Sequence, residues 1–195
     1  MPEGAYQART LPQVVAEAAT TYTDRIAISD GDVNLSYVQL DRARVEAAKA
    51  FLAAGLEQGD RVAIWAPNIY QWIIAAIGAQ SIGGVVVPLN TRYKGPEAAY
   101  VINASGARML FTVSEFLGVS YPEMLAGQDL PGLERIVTLT GETSGSQTWD
   151  AFLAGGSGAG EQQVAARAAA LTPDDPLDIL FTSGTTGNPK GVVTG

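Results

Sequence analysis

The chain contains neither cysteine nor histidine among its 195 residues. The first absence excludes disulfides and thiolate metal sites, and the second removes the commonest general base and metal ligand. Lysine is scarce as well, with three in all: Lys49, Lys94 and Lys190. A net charge of −8 argues against a general affinity for nucleic acid or for an anionic membrane surface. A site that handles anions must therefore gather its few cations locally. Met1 to Thr10 lacks a basic region followed by an apolar core, so no secretory signal is visible, and a chain without cysteine fits the cytoplasm. The remaining composition, 47% hydrophobic and 16% charged, is that of a globular protein with one sizeable core or two small ones.

A long hydrophobic run is almost present. From Trp72 to Leu89 the polar side chains are Gln80 and Ser81 alone, close to the roughly 18 apolar residues that a spanning helix requires. However, Gly83-Gly84 breaks the run, Val85-Val86-Val87 is β-branched and Pro88 closes it. Helix, turn and buried parallel strand is the better reading, and no transmembrane segment is expected.

Taken in order, Thr10 opens a first helix with Gln13 as its capping partner, and Ile26–Ile28 and Val33–Leu35 predict a hairpin around Asp30-Gly31-Asp32. Ser36 and Gln39 form a capping box for a helix reaching about Ala54, with Gly55 as its stop. Strands follow at Arg61–Trp65 and Val85–Val87, separated by a helix for which Asn68 is the expected cap. A helix from Gly95 to before Gly106 leads to a strand at Arg108–Thr112. Ser114–Gly127 is mixed helical, Glu134–Leu139 is another strand, and Thr148–Leu153 is a short helix. Gly155–Gly160 reads as a flexible connection. Strand, helix, strand alternation predicts the α/β class: a mainly parallel sheet with helices on both faces. Leu89-Asn90-Thr91-Arg92-Tyr93 then lies at the carboxyl end of a parallel strand, where open α/β sheets bind ligands. Arg92 reads either as an anion contact or as a surface arginine paired with a local carboxylate.

The most informative stretch is Asp178-Ile179-Leu180-Phe181-Thr182-Ser183-Gly184-Thr185-Thr186-Gly187-Asn188-Pro189-Lys190-Gly191. A buried strand, Ile179–Phe181, empties into glycines, hydroxyls and a lysine. Gly184, Gly187 and Gly191 let backbone N–H groups approach an anion, the hydroxyls of Thr182, Ser183, Thr185 and Thr186 add donors, and Lys190 adds a point charge. This is the composition of a phosphate cradle. A Walker loop is excluded, because Lys190 follows Pro189 rather than glycine and Gly191 stands where Ser or Thr would hold Mg²⁺.

The string Thr-Ser-Gly-Thr-Thr-Gly-x-Pro-Lys-Gly resembles the phosphate loop of the adenylate-forming enzymes: acyl-CoA synthetases, adenylation domains of peptide synthetases and luciferases. Gly59–Asn68 and Val87–Tyr93 are similar to acyl-CoA synthetase segments in matching order. Arg108–Phe111, Thr148–Asp150 and Asp178–Phe181 resemble the actinobacterial ligases that activate propanoate side chains of steroid ring remnants. The resemblance implies the amino-terminal subdomain of an acyl-CoA synthetase large domain. It implies ATP, Mg²⁺ and CoA, and a small-molecule carboxylic acid as substrate, with a homodimer left open. By the same resemblance Thr182, Ser183, Gly184, Thr185, Thr186, Gly187 and Lys190 hold the ATP phosphates, and Thr182 offers its hydroxyl to Mg²⁺.

In that family the adenine pocket, the metal-binding glutamate, the ribose-binding aspartate and the adenylation lysine lie downstream of this loop. The expectation is that residues 1–195 form the amino-terminal part of an AMP-binding (adenylation) domain, inactive alone and without a catalytic residue of its own. The exposed stretch Thr185–Lys190 is expected to be mobile without nucleotide. An amino-acid or aryl-acid adenylation domain loading a carrier protein remains an alternative, as does a purely structural module.

Overall fold

The computed structural model describes residues 9–182 and 189–195. The first helix, α1 (Leu11–Tyr22), leads into a two-stranded antiparallel hairpin of β1 (Ile26–Asp30) and β2 (Val33–Ser36). Helix α2 (Tyr37–Ala53) begins at the expected capping box: Gln39 Oε1 accepts from Ser36 N at 2.8 Å, and Ser36 Oγ accepts from Gln39 N at 3.3 Å. The alternating part follows as β3 (Arg61–Trp65), α3 (Tyr70–Gln80), β4 (Val85–Pro88), α4 (Gly95–Ser105) and β5 (Ala107–Val113). Next come α5 (Tyr121–Leu125), β6 (Arg135–Thr140), β7 (Gln147–Thr148), α6 (Trp149–Gly155), α7 (Glu161–Ala170), β8 (Asp178–Thr182) and β9 (Lys190–Thr194).

The main sheet has seven strands in the order β7-β6-β5-β3-β4-β8-β9. Every neighbouring pair is parallel except β8 and β9. The β3–α3–β4 connection steps toward one edge, and β4–α4–β5 steps back across β3. Right-handed crossovers running in opposite directions place α3 and α4 on opposite faces. Accordingly α3 packs with α2 on one face while α4 packs with α5 on the other. The run from Trp72 to Leu89 is most of α3, a turn and β4, and no helix among the described residues is long and apolar enough to cross a membrane.

The core lies where the sheet meets α2. The rings of Phe51, Phe111 and Phe152 meet pairwise with centroids 5.0 Å apart, and Trp149 stands edge-on to Phe111 at 6.0 Å. Helices α2 and α3 approach so closely that a Cβ on Gly78 would stand 2.5 Å from that of Ala47. Beneath the sheet, Arg61 terminates α4: its guanidinium donates to the carbonyls of Ser105 at 2.8 Å and Gly106 at 3.0 Å, and Gly106 takes the left-handed conformation at φ 65°.

Several local expectations are corrected. Helix α3 starts at Tyr70, not at an Asn68 cap; its first N–H is taken by the hairpin, with Tyr70 N donating to Asp30 Oδ2 at 3.0 Å. Gly155–Gly160 is not a flexible linker. Gly156–Gly158 is a 3₁₀ turn, and Gly156 is buried against α2, where a Cβ would meet Ala50 N at 2.5 Å. Helix α7 and strands β7 and β9 were not anticipated, and within Ser114–Gly127 the helix is confined to Tyr121–Leu125.

Candidate phosphate-binding site

Strands β8 and β9 form an antiparallel ribbon at one edge of the sheet, and Thr182 pairs with Lys190 in its final rung. Thr182 Oγ1 lies 3.5 Å from the Lys190 carbonyl. The ribbon therefore brings two of the expected phosphate-binding residues side by side, both exposed, at the mouth of the glycine-rich connection. Ser183, Gly184, Thr185, Thr186 and Gly187 lie outside the described residues, as does most of the stretch expected to be mobile. Its last residue, Lys190, is placed instead as the first of β9.

The far end of the ribbon is held by backbone and by side chains. Leu177 N donates to Thr194 O at 2.7 Å, the Thr194 hydroxyl bonds Asp178, and Gln80 Nε2 donates to Leu177 O at 3.1 Å. The near end is held from α4. The Tyr100 hydroxyl donates to Pro189 O at 3.0 Å, and its ring stands edge-on to Phe181 with centroids 6.5 Å apart.

Parallel pairing of Val86 with Asp178 directs the carboxyl ends of β4 and β8 to the same rim. The segment after β4 is fixed there by two aromatic donors. Trp65 Nε1 donates to Asn90 O at 3.0 Å and the Tyr121 hydroxyl to Thr91 O at 2.8 Å, while the two rings stack at 4.3 Å. Burial pushes the Tyr121 phenol above its ordinary pKa, so it remains a neutral donor. In the strand order the connections diverge between β3 and β5, the point where open α/β sheets ordinarily bind ligands. The candidate site lies at the β4–β8 rim instead. Asn90 Oδ1 accepts from Arg92 N at 2.9 Å, the Arg92 side chain is exposed, and no ion pair to it or to Lys190 occurs among the described residues. An exposed hydroxyl and an exposed lysine paired at the two ends of a glycine-rich connection suit a polyanion.

The role of Tyr100 was missed from the sequence. Nothing local marks it, since it is one aromatic residue on the periodic face of α4 and its partner lies 89 positions away.

The sheet is mostly parallel and its β8–β9 ribbon carries Thr182 and Lys190 at either end of the glycine-rich connection, and the family model for AMP-binding enzymes matches residues 15–195. The chain belongs to the AMP-binding enzyme family. It is 42% identical over 185 residues to the 3-[(3aS,4S,7aS)-7a-methyl-1,5-dioxo-octahydro-1H-inden-4-yl]propanoyl:CoA ligase of Mycobacterium tuberculosis, covering 95% of this chain and 36% of that protein. The ligase of the same name from Rhodococcus jostii is 38% identical over 195 residues, covering 96% of this chain and 38% of its own length. The chain thus spans little more than a third of these relatives. Among solved structures, the inhibitor-bound N-terminal domain of FACL13 from M. tuberculosis superposes with a TM-score of 0.75 at 28% identity, covering 95% of this chain and 44% of that one.

Proposed function

We propose that this chain is the amino-terminal part of the AMP-binding domain of an ATP-dependent acid–CoA ligase, and that its share of the reaction is to hold the ATP phosphates. The observation that carries this reading is the pairing of Thr182 with Lys190 at the mouth of the glycine-rich loop, on the carboxyl rim of the sheet. In the reaction a carboxylate oxygen of the acid attacks the α-phosphorus of ATP. The bond from that phosphorus to the bridging oxygen breaks, and pyrophosphate leaves with the electron pair. The thiol sulfur of CoA then attacks the acyl carbon, AMP departs and a thioester remains.

Lys190 offsets charge on the departing pyrophosphate, while Thr182, Ser183, Thr185 and Thr186 donate to phosphate oxygens and Gly184 and Gly187 admit the backbone N–H groups. Catalysis here is positioning and electrostatics. The family also implies Mg²⁺, which when bound would offset phosphate charge. Among the described residues no cluster of acidic groups suits a metal. The exposed Thr182 hydroxyl fits as one neutral ligand, leaving the rest of the shell to phosphate oxygens and groups outside the described residues.

For the acid, the two ligases named above support a propanoate carried on a fused ring system. The alternative of a carrier-loading adenylation domain has no comparable support. Lys190→Ala in the full-length protein is expected to slow acid-dependent pyrophosphate release by about 100-fold. Pyrophosphate release at the wild-type rate would overturn the assignment of the loop. A screen of ring-borne propanoates against fatty and aromatic acids tests the substrate class, and preference for a plain fatty acid would overturn it.

A further inference from the structure

We propose that Tyr100 is a positioning residue for the phosphate loop, setting through Pro189 where the Lys190 ammonium stands. This rests on the loop function proposed above.

The two limbs of the loop reach one side chain. Phe181, immediately before Thr182, meets the edge of the Tyr100 ring, and Pro189, immediately before Lys190, accepts the Tyr100 hydroxyl at 3.0 Å. Pro189 lies just beyond the ladder, whose final rung is Thr182 with Lys190. The planar peptide unit ties the Pro189 carbonyl to the backbone N and Cα of Lys190, and the proline ring fixes φ on the other side of that carbonyl.

The anchor itself is well fixed. Helix α4 begins at Gly95, where a Cβ would fall 1.9 Å from the Met124 carbonyl oxygen, so only glycine lets α4 and α5 approach this closely. Glu97 Oε2 accepts from Lys94 N at 2.8 Å at the same end, and Arg61 closes the other. Around Tyr100, Ala98, Ala99, Val101 and Ile102 are buried. By contrast, all five residues of β9 are exposed, so burial contributes little to holding this strand. Its far end is tied at Thr194. Its near end, which carries the lysine, is tied by the ladder and by Tyr100.

The test is Tyr100→Phe in the full-length enzyme, which removes the hydroxyl and keeps the ring. Two half-reactions are measured: pyrophosphate release from ATP and acid, and thioester formation from supplied acyl-adenylate and CoA. The expected result is a fall of about tenfold in kcat/KM for ATP in the first, the worth of one neutral hydrogen bond. The KM for the acid and the second half-reaction should be unchanged, and the unfolding midpoint should fall by no more than the loss of one hydrogen bond accounts for. Equal losses in both half-reactions would make Tyr100 merely structural and overturn the proposal, as would wild-type kinetics throughout. Lys190→Ala, run alongside, separates the two readings. If Lys190→Ala is impaired in pyrophosphate release while Tyr100→Phe is not, the positioning role alone fails. If Lys190→Ala is itself unimpaired, the loop function fails first.

Discussion

The centre and the edge of the main sheet are built on opposite terms. In β3 the side chains of Val62, Ala63, Ile64 and Trp65 are wholly enclosed, and Phe111 of β5 is equally inaccessible. At the edge, Leu180, Val192 and Val193 remain 45%, 49% and 58% exposed, and β9 shows no buried residue. Stability therefore resides in one region and the candidate chemistry in another. A scaffold whose core does not depend on its glycine-rich connection leaves that stretch free to carry glycines, hydroxyls and a lysine, none of which would favour packing.

The sharpest way to break this division is at its buried end. Phe111→Ala removes a ring enclosed by Phe51, Phe152 and Trp149 and is expected to cost about 3–5 kcal/mol in urea unfolding. Lys190→Ala is expected to shift the same curve by less than about 0.5 kcal/mol, because the side chain is exposed. Comparable shifts for the two would show that edge and centre are one cooperative unit in energy as well as in hydrogen bonding.

A smaller loss is expected at the α2–α3 contact. Gly78→Ala introduces a methyl 2.5 Å from the Ala47 Cβ, an overpacking expected to cost about 1–3 kcal/mol. Ala47→Gly in the same chain removes the opposing methyl, so the double variant should recover part of that loss. Additive losses in the cycle would mean that the helices separate rather than clash.

The same division governs what could be read from the sequence. The central strands announce themselves through β-branched runs between glycines and prolines, and α2 through Ser36 and Gln39, because these signals lie within a few residues of one another. The candidate phosphate loop stands out in the sequence for a different reason: the chemistry proposed for it needs particular residue types in a row. What escaped notice depends on distant partners. Asp30 caps α3 from 40 residues away, and Tyr100 reaches Pro189 from 89 residues away. Gly155–Gly160 misled because glycine was read as flexibility, whereas Gly156 is there because the α2 backbone leaves no room for a Cβ. Helix α7 has Val164 as its one large apolar residue, so no run of bulky side chains marks it. Strand β9 gains its place by pairing with β8, which its own five residues do not announce.

The smallest expected effect lies at the amino ends of the strands, opposite the site. Arg108 of β5 donates to both oxygens of Glu134, from Nε at 2.9 Å and from Nη2 at 2.8 Å, and also bonds Asp60. The hydrogen bonds from Arg108 hold the Glu134 carboxyl below its ordinary pKa, and Glu134 in turn raises the already high pKa of the guanidinium. A carboxylate with a depressed folded-state pKa adds stability above its unfolded value, and that contribution is lost as pH falls through the lower, folded value. Glu134→Gln should therefore be slightly less stable than the parent at neutral pH, with the gap closing in acid. Because Glu134 is exposed, the gap should also narrow as salt is raised. Pyrophosphate release by the full-length variant should not change, since the pair sits at the end of the sheet away from Thr182 and Lys190. A gap that widens in acid would reverse the sign of the pairing, and a loss of activity would connect the two ends of the sheet that the fold holds apart.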